Sequence, residues 1–247
     1  MKKSIGFLII IICMFAILGV TACGSTAQVE KESENSQEDS PTWVTELAEA
    51  ENAEQVFVIA GVGDTTAYVS MHERTSDGNW KTIMTTPGYI GKKGLGKTKE
   101  GDAKTPVGTY HFTRAFGIAP DPGCTDFDYK QVSDDDWWSG DSNYHYNEMV
   151  DIKDYPELSQ DDSEHIVDYT YQYQYCLNIS YNEDGEAGKG SAIFLHCFGP
   201  YKPYTGGCVS IPRAEMETVL KNVRKDCIVI IDSLENLSPE TWEEWDL

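Results

Sequence analysis

Apolar and polar positions divide the chain into stretches of different period. Residues 6–20 form an almost unbroken apolar run behind Lys2 and Lys3. Its 15 residues are short for a bilayer span of about 20 but suit the apolar centre of a secretory signal. Residues 24–40 are polar, rich in Ser, Glu, Gln and Asn. Such a stretch buries too little surface to fold and reads as a flexible tether. Ser40-Pro41 reads as a helix cap followed by proline at the first helical position. Trp43, Leu47 and Ala50 follow at helical spacing.

From Gln55 the apolar period changes to that of strands. Residues 56–60, 66–72, 80–85, 107–113, 171–181, 191–196 and 227–231 are the predicted strands. Ser76-Asp77-Gly78-Asn79 is the expected turn between the second and third. Residues 212–225 predict a helix, with Met216, Val219, Leu220 and Val223 on one face. A second Ser-Pro pair at Ser238 opens a tail carrying Trp242 and Trp245. The pattern predicts a mainly β domain, a mixed β-sandwich with one sizeable helix. Its expected divisions are a signal segment 1–22, a tether with a short helix 23–54, a domain 55–235 and a tail 236–247.

Charge sharpens this division. The chain has 19 Lys+Arg against 41 Asp+Glu, a formal net charge of −22. This argues against a nucleic-acid partner, because its phosphates would be repelled. The acidity is local. Residues 121–168 carry 15 acids against Lys130 and Lys153, together with Trp137, Trp138, Tyr144, His145 and Tyr146. A connection of that length between strands predicts a functional insertion. It reads either as a wall or lid over a site, or as a solvated excursion packed by its own aromatics. His145, Glu148 and Asp151 within it form a weak candidate cation site. Lys92, Lys93, Lys97, Lys99 and Lys104 read as solvated.

Val20-Thr21-Ala22-Cys23 places small residues before a cysteine. This resembles a bacterial lipobox, so Cys23 is the expected lipidation site and new N-terminus. Acyl chains there would hold the protein on the outer face of the cell membrane without a spanning helix.

The densest candidate chemistry lies at His196-Cys197 and Thr205-Gly206-Gly207-Cys208. A predicted strand ends in a histidine, and a cysteine follows 12 positions later behind two glycines. A thiol nucleophile needs this combination, because the thiolate attacks and a neighbouring imidazole takes the proton. Glycines let backbone N–H groups approach a substrate carbonyl and stabilise an oxyanion. A structural disulfide and a core histidine are the bland alternative. A metal site from His196, Cys197 and Cys208 matches no common zinc spacing. Cys124, Cys176, Cys197, Cys208 and Cys227 are an odd number, consistent with one free thiol and up to two disulfides.

These residues resemble the L,D-transpeptidase catalytic domain family (YkuD-type), which carries a strand ending in His-Gly and a Ser/Thr-x-Gly-Cys motif. A second match lies upstream, where Asp102-Ala103-Lys104-Thr105-Pro106-Val107-Gly108-Thr109-Tyr110 is similar to the family's D-x-x-T-P-x-G-x-[FY] strand. Cys197 stands in place of the family's Gly, Gly206 in place of a frequent His, and Ser210 in place of the usual Arg. These departures mark a divergent member. The resemblance implies Cys208 as nucleophile and His196 as general base, oriented by the carbonyl of Cys197. It implies an oxyanion hole from the N–H groups of Cys208, Gly207 and Gly206, with Tyr204, Thr205, Ser210 and Arg213 near the substrate. No cofactor and no metal are implied. The implied reaction is acyl transfer on peptidoglycan stem peptides, giving 3→3 cross-links through a thioester. Hydrolysis of the same stems, or wall binding without catalysis, are the alternatives.

Overall fold

The computed structural model describes residues 37–245. The signal segment and Cys23 therefore lie outside the described residues. In chain order the elements are α1 (Thr42–Thr45), β1 (Gln55–Gly61), β2 (Thr66–Arg74), β3 (Trp80–Tyr89), β4 (Gly108–Gly117) and β5 (Lys130–Gln131). Then come β6 (Asp136–Trp138), β7 (Met149–Asp151), β8 (Glu164–His165), β9 (Cys176–Ile179), β10 (Phe194–Cys197) and β11 (Val209–Ile211). The chain ends with α2 (Arg213–Asn222), β12 (Ile228–Ser233), α3 (Leu234–Leu237) and α4 (Pro239–Glu244).

The main sheet runs β12-β1-β2-β3-β11-β10-β9-β4-β5, and β12 also pairs with β4. β4 makes both contacts by dividing its length. Gly108 to His111 pair with β12, and Phe112 to Phe116 pair with β9 across a register shift. The sheet thereby folds back on itself as a mixed β structure, mainly β as expected, with α2 its one sizeable helix.

β1 shows why its sequence is a continuous apolar run. Every residue in it is buried. Phe57 and Ile59 enter the core that α2 also covers through Met216, Val219 and Leu220. Val56, Val58 and Ala60 face the opposite way, under Val44, Ala50 and Leu234. Successive side chains of a strand point to opposite faces, so a strand covered on both sides is apolar along its length; its one polar residue, Gln55, sits at the start and is satisfied by Asn222 O and the Arg224 N–H.

Several local expectations are corrected. Ser40 does not cap α1. Pro41 takes the cap position, and the Ser40 hydroxyl lies 2.9 Å from His72 Nδ1 instead. Its N–H donates to Trp80 O (3.0 Å), and Thr82 N–H donates to Glu38 O (2.8 Å). The edge of β3 thus supplies residues 38–40 with backbone partners, and the tether joins the domain before its composition indicates. Residues 172–174 form a 3-10 turn rather than strand, and β9 starts only at Cys176. All five described cysteines are free. Cys176, Cys197 and Cys227 pack in apolar clusters as small apolar side chains.

The acidic segment is not an unpacked excursion. Its β6, β7 and β8 form a small antiparallel sheet. Trp138 stacks on Phe116 with centroids 6.0 Å apart and meets Phe194 edge-on at 4.7 Å. Most of its acids face water, though Asp136 and Asp141 are buried, and Trp138 packs on β4 and β10. Lys97 departs from the solvated reading too, since its side chain is 2 % exposed and pairs with Asp102 at 3.2 Å.

Candidate active site

A cavity of about 640 Å³ opens where β10 and β11 meet the acidic segment. His196, Tyr204, Thr205, Gly206, Gly207, Cys208 and Ser210 all line it. Arg213 does not. It sits at the start of α2, where it faces Glu217 and Gln174 and stacks over Tyr175 at 5.1 Å.

β10 aims its residues by the two-residue period. Leu195 and Cys197 enter the main core, whereas His196 faces the cavity. The Cys197 thiol points to Tyr175 O at 3.9 Å, and neither it nor Cys208 is in a disulfide. His196 Nδ1 donates to the Cys197 carbonyl at 2.8 Å. This fixes the ring and leaves Nε2 as the proton acceptor. Burial drives the imidazole pKa down to about 4, against the smaller opposing pull of the Cys197 carbonyl. The imidazole is therefore neutral at rest.

Cys208 lies at the end of the glycine turn, 8 % exposed. Its thiol donates to Ala192 O at 3.1 Å and accepts the Phe194 N–H at 3.4 Å. It makes no hydrogen bond to His196 in this resting arrangement. Burial first, and the Glu164 carboxyl second, push its pKa up to about 12, while the Phe194 N–H and the Lys97 charge oppose them. The resting pair is thus a thiol and a neutral imidazole, not an ion pair. Ala192, which holds the thiol, has φ 55, a left-handed conformation rare for a residue with a side chain.

The two motifs meet. Thr105 of the upstream motif donates its hydroxyl to Gly207 O at 2.8 Å and accepts the Gly91 N–H at 2.8 Å. Asp102 holds the preceding turn through the N–H groups of Thr98, Lys99 and Lys104. Burial alone would raise its carboxyl, but these donors and Lys97 outweigh it and hold the pKa near 2. Thr205 Oγ1 donates to Cys208 O at 2.6 Å and accepts the Gly207 N–H at 3.1 Å. Thr205 therefore shapes the turn. The Gly207 N–H is spent internally, whereas those of Gly206 and Cys208 have no acceptor among the described residues. Gly207 has φ +150, and a Cβ there would lie 2.9 Å from Lys104 O.

The opposite wall lies outside the two motifs. Glu100, Glu164, Tyr169, Tyr173 and Ser191 complete the cavity. Tyr173 donates to Glu164 at 2.6 Å and sets its ring edge-on to His196 at 5.5 Å. No local pattern marks these residues, because three separate chain segments supply them. Among the described residues no group of three His, Cys, Asp or Glu side chains is placed to hold a metal, so His145, Glu148 and Asp151 do not form a cation site. No described helix is long and apolar enough to cross a membrane.

A mainly β scaffold that turns a thiol and an oriented imidazole into one cavity defines a candidate cysteine enzyme. The model of the L,D-transpeptidase catalytic domain (YkuD) matches residues 64–231, and the chain belongs to this family. Among solved structures, the chain is similar to an L,D-transpeptidase from Mycobacterium smegmatis, at 14 % identity over 73 % of this chain and 59 % of that one, TM-score 0.34. It is similar to L,D-transpeptidase 3 from Mycobacterium tuberculosis in complex with a faropenem-derived adduct, at 16 % identity over 73 % and 61 %, TM-score 0.34. It is also similar to L,D-transpeptidase 1 from Mycobacterium tuberculosis, at 12 % identity over 72 % and 62 %, TM-score 0.32. The chain spans about three-fifths of the length of these structures. No curated protein matches it.

Proposed function

We propose that this chain is a cysteine acyltransferase that forms 3→3 cross-links between peptidoglycan stem peptides through a thioester on Cys208. The observation that carries the reading is the shared cavity of Cys208 and His196, with Nδ1 of His196 tied to Cys197 O and Nε2 left to take a proton.

In the first half-reaction the Cys208 proton leaves Ala192 O for His196 Nε2 as sulfur attacks the carbonyl of the stem's third residue. The oxyanion meets the N–H groups of Gly206 and Cys208. The C–N bond breaks, and the imidazolium gives its proton to the departing D-amino acid. In the second half-reaction an amine of a second stem attacks the thioester, its proton passes by way of His196, and sulfur leaves as the thiol. Water in place of the amine gives the L,D-carboxypeptidase. Tyr204 and Ser210 line the same cavity as the thiol. An anchor on Cys23 would place the domain outside the cell membrane, within reach of the wall.

Purified stems should be incubated with the enzyme and their muropeptides resolved. Cross-linked 3→3 dimers are the expected product. Shortened tripeptides alone would establish the carboxypeptidase, and binding to wall material with no altered muropeptide would establish a non-catalytic protein. Membrane retention of a Cys23→Ser variant would overturn the lipid anchor.

A further inference from the structure

The cavity that holds Cys208 also holds two carboxyl groups, Glu164 and Glu100. They arrive from different parts of the chain. Glu164 stands on β8, at the end of the acidic segment. Glu100 belongs to the loop that carries the upstream motif. Each is held by a tyrosine. Glu164 Oε2 accepts from Tyr173 at 2.6 Å. Glu100 Oε2 accepts from Tyr146 at 2.5 Å and from Ser191 at 2.9 Å. The second oxygen of Glu164 has no hydrogen-bond partner among the described residues.

Neither carboxyl has a basic partner among the described ion pairs. The buried lysine of this wall, Lys97, is committed to Asp102 at 3.2 Å and to the Lys99 carbonyl at 3.2 Å. Lys92 and Lys202 sit over the Tyr204 ring. The other side chains facing Glu164 are those of Tyr169, Tyr173 and Cys208, none of them cationic. Glu100 is exposed at the rim, whereas Glu164 is half-buried, and a half-buried carboxylate without a counter-ion is stabilised by whatever cation enters. Tyr169, stacked on Tyr173 at 4.5 Å, adds an aromatic face that also favours a cation.

We propose that Glu164, with Glu100 beside it, is the acceptor subsite: it receives the ammonium group of the incoming primary amine and takes a proton from it before attack on the thioester. This rests on the thioester reading above. The amine arrives as R–NH3+ and gives one proton to the Glu164 carboxylate. The neutral nitrogen attacks the thioester carbon and forms the C–N bond. Its second proton passes by way of His196 to the departing Cys208 sulfur as the C–S bond breaks. Glu164 then returns its proton to solvent. Burial, together with the nearby Glu100 charge, lifts the Glu164 pKa to about 7 against the lowering effect of Tyr173. A carboxyl poised there is a competent base at neutral pH. The subsite separates transfer from hydrolysis, because water carries no charge for it to hold.

The test uses the tetrapeptide stem as acyl donor and offers ethylamine, an ammonium at neutral pH, and hydroxylamine, which is mostly neutral. Mass spectrometry gives the ratio of ethylamide to hydroxamate product. In Glu164→Gln the ratio should fall at least about tenfold, with partial recovery in Glu164→Asp. The glutamine still accepts from Tyr173, so a purely structural role would leave the ratio unmoved. An unchanged ratio in folded Glu164→Gln overturns the proposal. If that variant does not fold, Glu100→Gln, which keeps the Tyr173 contact intact, should lower the ratio severalfold, and no change there overturns it equally. Failure of the thioester reading looks different: the wild-type protein then gives neither product.

Discussion

The side chain of Asn147 accepts the N–H of Ala192 at 3.0 Å. The same Asn147 oxygen accepts Trp138 Nε1 at 3.1 Å, and its amide donates to Tyr181 O and Asn182 O. Since Ala192 O holds the Cys208 thiol, one residue of the acidic segment braces the backbone that positions this thiol. Asn147→Ala strands a buried N–H and an indole N–H, which should cost about 1–3 kcal/mol. Thermal unfolding measures that loss, and intact mass measures acylation by a carbapenem-type donor. Slower acylation of the folded variant is expected. Full-rate acylation despite a lower Tm would show that the brace serves stability alone.

Cys208→Ala should give no acyl adduct by intact mass. His196→Asn keeps a donor for Cys197 O but removes the base, so acylation should slow by about 10² to 10⁴. An adduct on folded Cys208→Ala would move the chemistry to another side chain.

The two glycines of the motif should differ. Gly207→Ala forces φ +150 on a residue with a side chain and drives Cβ toward Lys104 O. Loss of acylation and a lower Tm are expected. Nothing lies within 4 Å of a Cβ at Gly206, so Gly206→Ala should fold with wild-type stability. Equal behaviour of the two variants in the melting assay would contradict the turn geometry.

Stability should fall as the solution is acidified. His72 is fully buried with Nε2 unpartnered, and burial lowers its pKa to about 4. His196 is lowered to about 4 as well. Both pKa values are depressed from 6.5, so between pH 6.5 and 4 the unfolded chain binds more protons. Stability is then fully present above the unfolded pKa and is lost as pH falls toward 4. Each histidine accounts for on the order of 2–3 kcal/mol by pH 4.5. Urea titrations at pH 7 and pH 4.5 measure the drop, and His72→Gln should show a smaller drop than the wild type. An identical drop would remove His72 from the account.

The same depression bears on the reaction. His196 stays unprotonated until the pH nears 4, so the acid limb of the acylation rate contributed by this base should lie well below the usual histidine range. A limb at pH 6.5 that disappears in His196→Asn would show an imidazole exposed to water.

Much of the site was legible along the chain because its chemistry is local. His196 and Cys197 are adjacent, so the carbonyl that orients the ring comes with the histidine. Thr205 to Cys208 form one turn whose glycine and hydroxyl requirements are written in consecutive residues. β1 and α2 were equally readable, since their apolar periods report burial directly. Other features depend on partners far away in sequence. Residues 171–175 carry strand-like composition, yet Tyr173 turns to reach Glu164 and His196. Residues 38–40 look like tether and gain backbone partners only from β3. Cysteine parity suggested bridges, whereas packing isolates each thiol.

The sequence by itself determined the scaffold class, the turn from Thr205 to Cys208, the place of His196 at a strand end and the second motif, because periodicity and short spacings act within a few residues. Only the tertiary structure decided what Thr105 and Glu164 do. Thr105 reaches Gly207 across 102 positions, and Glu164 reaches the Cys208 cavity only once β6, β7 and β8 pack on Phe116 and Phe194. The acidic segment, which composition marked as a concentration of charge, becomes a wall of the site because Trp138 and Tyr146 are buried and Glu164 is turned toward the Cys208 cavity with them.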